Sequence, residues 1–142
     1  MGMDDDMCCL LMAHVRQNSR VTSLDLSENR IGYKESSGAI VQGTPETRCS
    51  SEQGAPEAQL TSSEAIALML EENSSLTKLE LSWNFIAAGS AAAIARSLES
   101  NHTLKELSVS HNAFHDSDRA LPAQEIGRSL RRNTGLICLD LR

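Results

Sequence analysis

The chain has 142 residues, of which 40% are hydrophobic and 3% aromatic, and its formal net charge is −6. The length suits one small domain or a slice of a larger one. The acidic balance argues against nonspecific nucleic-acid binding, and no apolar run is long enough to span a bilayer. We therefore expect neither a nucleic-acid nor a membrane partner.

Residues 1–20 are predicted to form an acidic tail followed by the helix of a half-repeat. Aspartates at positions 4–6 make the start unlike the basic start of a signal peptide. The apolar stretch from Met7 to Val15 predicts the helix. It is assigned to a repeat because Asn18 precedes the next strand as Asn73 precedes a later one.

One strand pattern then recurs four times along the chain. Its alternating leucines place one face of each strand in a core. The copies are Val21-x-x-Leu24-x-Leu26, Leu76-x-x-Leu79-x-Leu81, Leu104-x-x-Leu107-x-Val109 and Leu136-x-x-Leu139-x-Leu141, and the first three continue to Asn29, Asn84 and Asn112. The last two asparagines are 28 residues apart, which is the period of the repeat. We expect these asparagines to point inward and to bond backbone groups at the bend.

A helical stripe completes each unit. Ile66, Ile94 and Ile126 lie ten residues before the next strand pattern, and Leu70, Leu98 and Leu130 follow four residues later. Asn73, Asn101 and Asn133 are predicted to end these helices in a left-handed or capping conformation.

The repeats are interrupted once. Residues 21–35 form the first strand and turn, residues 36–63 are predicted to be a flexible insertion rich in Gly, Ser and Thr, and residues 64–142 hold the later repeats. A decayed repeat inside the insertion is not favoured, because Arg48, Ser51 and Gln53 stand where apolar residues are needed. The insertion is either a partner-binding loop or tolerated surface length.

The run from Leu76 to Ile86, the Ala-rich helix with Ile94 and Leu98, and the turn from Asn101 to Leu104 resemble ribonuclease-inhibitor-like leucine-rich repeats. The resemblance implies an α/β solenoid, a short right-handed horseshoe segment with parallel strands on the concave face and helices on the convex face. Its members range from ribonuclease inhibitor to sensor arrays and the Ran GTPase activator, so it implies no single function. Few repeats and an uncapped final strand lead us to expect a fragment of a longer protein.

No catalytic, cofactor-binding or metal-binding residues are predicted. His111, His115 and Asp116 could be considered as metal ligands. They flank Asn112 and Phe114, however, which occupy structural columns of the repeat. No nucleophile elbow occurs, so we expect a protein that is not an enzyme and needs no cofactor.

The outward strand positions are the candidate binding surface. They should stack into columns along the concave sheet, and the middle column is acidic, which favours a basic protein partner. Trp83 either anchors an interface or packs near Phe85 or His111. The candidate residues are Asp25, Lys78, Glu80, Trp83, Glu106, Ser108, His111 and Asp140.

These patterns predict an intracellular protein–protein interaction module, with cytoskeletal or ciliary association as one option. The cysteines lack metal or disulfide spacing, which favours a reducing compartment. One alternative is a GTPase activator resembling that of Ran, for which Asn29 beside Arg30 is the sequence hint. Another is a fragment without independent function. The oligomeric state is left open.

Overall fold

The computed structural model describes residues 2–36, 60–112 and 120–142. Helices and strands alternate through most of these residues. In chain order they are α1 (Asp5–Val15), β1 (Ser23–Asp25), α2 (Tyr33–Ser36), α3 (Ser62–Glu72), β2 (Lys78–Glu80), α4 (Ala88–Ser97), β3 (Glu106–Ser108), α5 (Ala120–Leu130) and β4 (Cys138–Asp140).

The strands form one parallel sheet in the order β1, β2, β3, β4. Leu24, Leu79, Leu107 and Leu139 align in register across it, as the repeat spacing predicts. Helices α1, α3, α4 and α5 pack against one another in the same order. The result is an α/β solenoid in which each strand–helix unit contacts its neighbours.

The core lies between the sheet and the helices, and its large side chains are aliphatic. Leu79 and Leu107 are 1% and 4% exposed. The buried core also includes Leu26, Leu81, Val109, Ile66, Leu70, Ile94 and Leu98. Burial decreases towards β4, which has a partner strand on one side only, and there Leu139 is half-buried and Leu141 is 43% exposed. On α5, Leu130 is 40% exposed.

Helix α3 begins inside the segment that the sequence assigns to the insertion. Ser62 and Ser63 form its first turn after the N-cap Thr61. The hydroxyl of Thr61 accepts from the backbone N–H of Glu64 at 3.2 Å, and the Glu64 carboxylate accepts from the backbone N–H of Thr61 at 2.9 Å. This reciprocal capping box fixes where the helix starts. The rest of the predicted flexible insertion, residues 37–59, lies outside the described residues.

The asparagines after the strands bond the backbone of neighbouring units. The Nδ2 of Asn84 donates to the carbonyls of Leu26, at 2.8 Å, and Leu81, at 3.0 Å, while its Oδ1 accepts from the N–H of Ile31 at 3.1 Å. Asn112 repeats this pattern one unit later, with Leu81, Val109 and Ile86. These are the backbone bonds expected of the inward-pointing amides.

The asparagines at the helix ends form a second row. Asn101 donates to the carbonyl of Leu70 at 2.6 Å and accepts from the N–H of Leu104 at 2.8 Å. Asn73 and Asn133 make equivalent bonds. Asn73 caps its helix in an extended conformation, with φ −78° and ψ 128°, so the left-handed option does not hold there. Among the residues that the structure describes, the left-handed non-glycine residues are instead Glu28, Trp83 and His111.

Over the described ranges, no helix has the length and apolar character needed to cross a membrane.

Candidate functional site

The exposed side of the sheet brings six predicted residues together. The strand register aligns Ser23, Lys78, Glu106 and Cys138 in one column and Asp25, Glu80, Ser108 and Asp140 in the next. We call these two columns the strand face. Parallel sheets are usually covered on both sides. In this chain the helices lie on one side, and the polar side chains occupy the other.

The first column of the strand face contains an ion pair. The Nζ of Lys78 lies 2.9 Å from the Oε2 of Glu106, and both side chains are about half exposed. The hydrogen bond to the Glu106 carboxylate raises the pKa of Lys78. Because the pair is exposed to water, it adds little to stability. Lys78 and Glu106 carry opposite charges, so together they add no net charge to the strand face.

The second column is predominantly acidic. Asp25 accepts from the backbone N–H and the hydroxyl of Ser27 at 2.9 and 2.7 Å, and these bonds lower its pKa. Asp140 accepts from the Nε of Arg142 at 3.0 Å and from a terminal guanidinium nitrogen at 2.9 Å. Hydrogen bonds from Arg142, with a smaller attraction from His111, lower the pKa of Asp140 from 3.8 to about 2. Both carboxylates therefore stay charged well below neutral pH.

Ser82 and Ser110, which follow β2 and β3 at equivalent positions, are closed to solvent. Ser82 and Ser110 are 7% and 5% exposed, and their hydroxyls lie 2.8 Å apart. The Ser82 hydroxyl also bonds Ser108, at 2.6 Å, and donates to the Glu80 carboxylate. These mutual bonds satisfy the hydroxyls within the protein, so Ser82 and Ser110 are removed from the binding surface.

Beyond this serine cluster, Glu28, Trp83 and His111 form what we call the rim row. Their φ angles are 56°, 56° and 52°. The Trp83 and His111 rings stack with centroids 4.1 Å apart and 16° between their planes. Trp83 is nevertheless 59% exposed. The indole therefore packs on His111, as one of the two readings of the sequence predicts, and most of its surface still faces solvent.

A second aromatic pair joins the first residue of α2 to the turn after β2. Tyr33 and Phe85 meet edge to face with ring centroids 5.3 Å apart. The Arg30 guanidinium carbon lies 4.7 Å from the centroid of the Tyr33 ring. Tyr33 was not among the candidate residues selected from the sequence. The sequence feature that could have pointed to it is that Tyr33, Trp83 and Phe85 all follow the strand pattern in two successive units.

The geometry assigns His111 to the aromatic stack. The part of the chain that the structure describes contains no group of three or more His, Cys, Asp or Glu residues able to hold a metal ion. His115 and Asp116, considered with His111 as metal ligands, lie outside the described residues.

Comparison with known proteins identifies the repeat. A family model described as "Leucine Rich repeat" matches residues 17–34, 72–95 and 100–119. No curated protein matches the chain.

Nineteen chains of solved structures match. One is the structure titled "Leiomodin-1 Actin-Binding Site 2 (ABS2)", with a TM-score of 0.69 and 24% sequence identity. The match covers 99% of this chain and 64% of that one, so this chain spans less than two thirds of its length. At this identity the likeness shows a shared fold.

Proposed function

Because this chain is a leucine-rich-repeat protein, we propose that it is a protein-interaction module that binds a basic segment of a partner through its strand face. The observation that carries the proposal is the in-register column of charged side chains on an uncovered parallel sheet. The strand face and its border hold four carboxylates and two cations, with the cations paired to two of the carboxylates. The carboxylates are Asp25, Glu80, Glu106 and Asp140, and the cations are Lys78 and Arg142.

Charge complementarity is the reason for a basic partner. Asp25 and Glu80 are neighbours in the register and form no ion pair with another described residue. A cationic side chain placed between them would reduce their mutual repulsion and gain two attractive contacts. No reaction is required of the module in this proposal.

Charge reversal tests the location of the binding surface. We expect Glu80→Lys to weaken binding of a captured partner about fivefold or more while the far-ultraviolet circular dichroism stays unchanged. Glu71→Lys is the matched control, because Glu71 is an exposed residue of α3 on the helix side. Equal affinities for the two variants would reject the strand face as the binding surface.

An intracellular location belongs to the proposal. The four cysteines of the sequence show neither a disulfide framework nor metal-ligand spacing, which suits a reducing compartment. Asn73 and Asn101 lie in glycosylation sequons, but their side-chain amides are buried and bonded to backbone carbonyls. The role of these asparagines in bonding the backbone therefore explains why they occur at these positions. Cell fractionation of the expressed chain would test its location.

The GTPase-activator alternative gains no support from its two hint residues. The Nδ2 of Asn29 donates to the carbonyls of Leu26 and Ser27, and the Oδ1 accepts from the N–H of Met3. The guanidinium of Arg30 lies over the Tyr33 ring. A GTP-hydrolysis assay over a panel of small GTPases is the direct test. Acceleration of GTP hydrolysis would overturn the proposal that the chain only binds a partner.

Actin is a specific partner to test, because the leiomodin-1 structure named for an actin-binding site matches 99% of this chain. Cosedimentation with actin filaments measures this directly. Binding that Glu80→Lys abolishes and Glu71→Lys preserves would support the strand face as the actin-binding surface. Binding that both variants retain would support another surface.

A further inference from the structure

The rim of the repeat array gathers exposed aromatic rings, whereas the described core contains no buried Phe, Tyr or Trp. Trp83, Tyr33 and Phe85 are 59%, 43% and 40% exposed. Aromatic residues make up 3% of the whole sequence, so little of the fold's stability depends on them. Large rings that are kept at the surface are typical anchors of protein interfaces.

The backbone at Trp83 strengthens this argument. A left-handed conformation costs a non-glycine residue about 1–2 kcal/mol, and for a bulky residue it is unusual. Glycine would adopt the φ angle of 56° at position 83 without that cost. The same left-handed φ recurs at Glu28 and His111, so it belongs to the turn of the repeat, and at position 83 this turn presents the indole at the rim.

The order of residues along the rim row identifies what the ring can bind. The backbone N–H of Glu28 donates to the carbonyl of Ser82 at 3.0 Å, and that of Trp83 donates to Ser110 at 3.1 Å, so the strand ladder continues into the row. Adjacent members are therefore about 5 Å apart. His111 covers one side of the indole, and Glu28 is the neighbour on the other side. An indole face beside a carboxylate suits a cation.

We propose that the rim row binds an arginine side chain of the basic partner, with its guanidinium stacked on Trp83 and paired with Glu28. This inference rests on the proposed function, since it specifies one residue of the partner segment. Arginine fits better than lysine because its planar guanidinium can stack on a ring while its N–H groups bond a carboxylate. The chain already places a guanidinium over a ring at the rim, with Arg30 4.7 Å from the Tyr33 centroid.

Trp83 is the only tryptophan of the chain, so its fluorescence reports on the site directly. The probes are a blocked Gly-Arg-Gly-Arg-Gly peptide and the same peptide with lysine in place of arginine. We expect the arginine peptide to change the emission of Trp83 saturably and to bind about fivefold more tightly than the lysine peptide. Glu28→Gln should weaken the arginine peptide about fivefold, whereas the control Glu71→Gln should leave it unchanged.

Trp83→Gly separates binding from folding. The glycine should keep or raise the urea midpoint, because the left-handed conformation no longer carries a steric cost. Calorimetric titration should at the same time show the arginine peptide bound at least about fivefold more weakly than by the unchanged chain. A variant that folds and binds the peptide as the unchanged chain does would overturn the inference.

Other outcomes also decide the matter. Equal affinity for the two peptides, an unchanged Trp83 emission or no effect of Glu28→Gln would each overturn the arginine site. If Glu80→Lys still weakens partner binding in that case, the strand-face proposal survives on its own. If the peptide measurements and Glu28→Gln support the arginine site while Glu80→Lys has no effect on partner binding, the rim row is supported and the strand face is not.

Discussion

At the scale of single residues, Asn84 joins two neighbouring repeats through one carboxamide. The carboxamide donates to a carbonyl of the previous unit and to one of its own, and it accepts from an amide of the previous unit. The side chain is 6% exposed, so water does not replace these partners easily. A buried backbone group that loses its partner costs about 1–3 kcal/mol.

We therefore expect Asn84→Ala to lower the free energy of unfolding by about 3 kcal/mol, because several backbone groups lose their partners together. Urea unfolding followed by circular dichroism measures the change. Ser74→Ala is the control, since Ser74 is exposed at a helix-to-strand corner. A similar stability for the two variants would show that the amide contributes little.

Asp140 makes a pH-dependent contribution to stability. Its pKa is about 2 in the folded chain against an ordinary 3.8, so the folded state favours the carboxylate. The contribution is complete above pH 3.8 and is lost as the pH falls towards 2. Carboxyl chemical shifts followed by NMR should give the lowered value, and Arg142→Gln should move it back towards 3.8. If the pKa of Asp140 is unchanged in Arg142→Gln, the hydrogen bonds from Arg142 are not the cause of its lowered value.

Residue roles were predictable where they recur in register. Asn29, Asn84 and Asn112 follow the same strand pattern, so their common task could be inferred from spacing. Packing of Trp83 near His111 was one of the two readings of the sequence, but the stacked geometry could not be inferred, because it depends on side chains 28 positions apart and on a left-handed φ that bulky residues rarely adopt. The contact between the Ser82 and Ser110 hydroxyls could not be inferred either, since hydroxyl pairing depends on side-chain rotamers.

At the scale of elements, helices α3 and α4 begin differently. Thr61 caps α3 through its hydroxyl, whereas Ala87 occupies the N-cap of α4 with no side-chain hydrogen bond. Its φ of −77° and ψ of 166° are already those of an N-cap residue. A hydroxyl added there needs no change in the backbone.

Ala87→Ser should accordingly raise the free energy of unfolding by about 0.5–1 kcal/mol, and Thr61→Ala should lower it by about 1 kcal/mol. Thermal and urea unfolding of the two variants, side by side with the unchanged chain, give both values. If neither method shows that Ala87→Ser is more stable, the new hydroxyl bonds water instead of the backbone of α4.

Element boundaries were less predictable than element types. The apolar stripe marks α3 and α4, but the sequence placed Ser62 and Ser63 in the insertion because serine is common in loops. Their position after a capping threonine is what makes them helical. The four-residue helix α2 was also not predicted, since one turn contains too few residues to show a period.

At the scale of the whole molecule, the leucine column connects the four strands into one core. Leu79 and Leu107 are neighbours in this column and are almost fully buried. A carboxylate at either position would be held among aliphatic side chains without a partner. Each unit contacts its neighbours, so damage at one interface reaches the adjoining units.

Leu79→Asp or Leu107→Asp should therefore abolish cooperative unfolding, because the desolvation cost is comparable with the whole stability of a small domain. Circular dichroism against temperature is the measurement. Ser23→Asp adds the same carboxylate on the exposed strand face and should retain a cooperative transition. A cooperative transition in both leucine variants would overturn the repeat register.

The two asparagine rows divide each unit into an arc of constant length and an arc of variable length. The strand side always takes eleven positions, from Asn18 to Asn29, Asn73 to Asn84 and Asn101 to Asn112. The helix side takes 44, 17 and 21 positions, from Asn29 to Asn73, Asn84 to Asn101 and Asn112 to Asn133. The eleven-position arc keeps the strands in register whatever the length of the other arc, so added residues between the two rows do not shift one strand against the next.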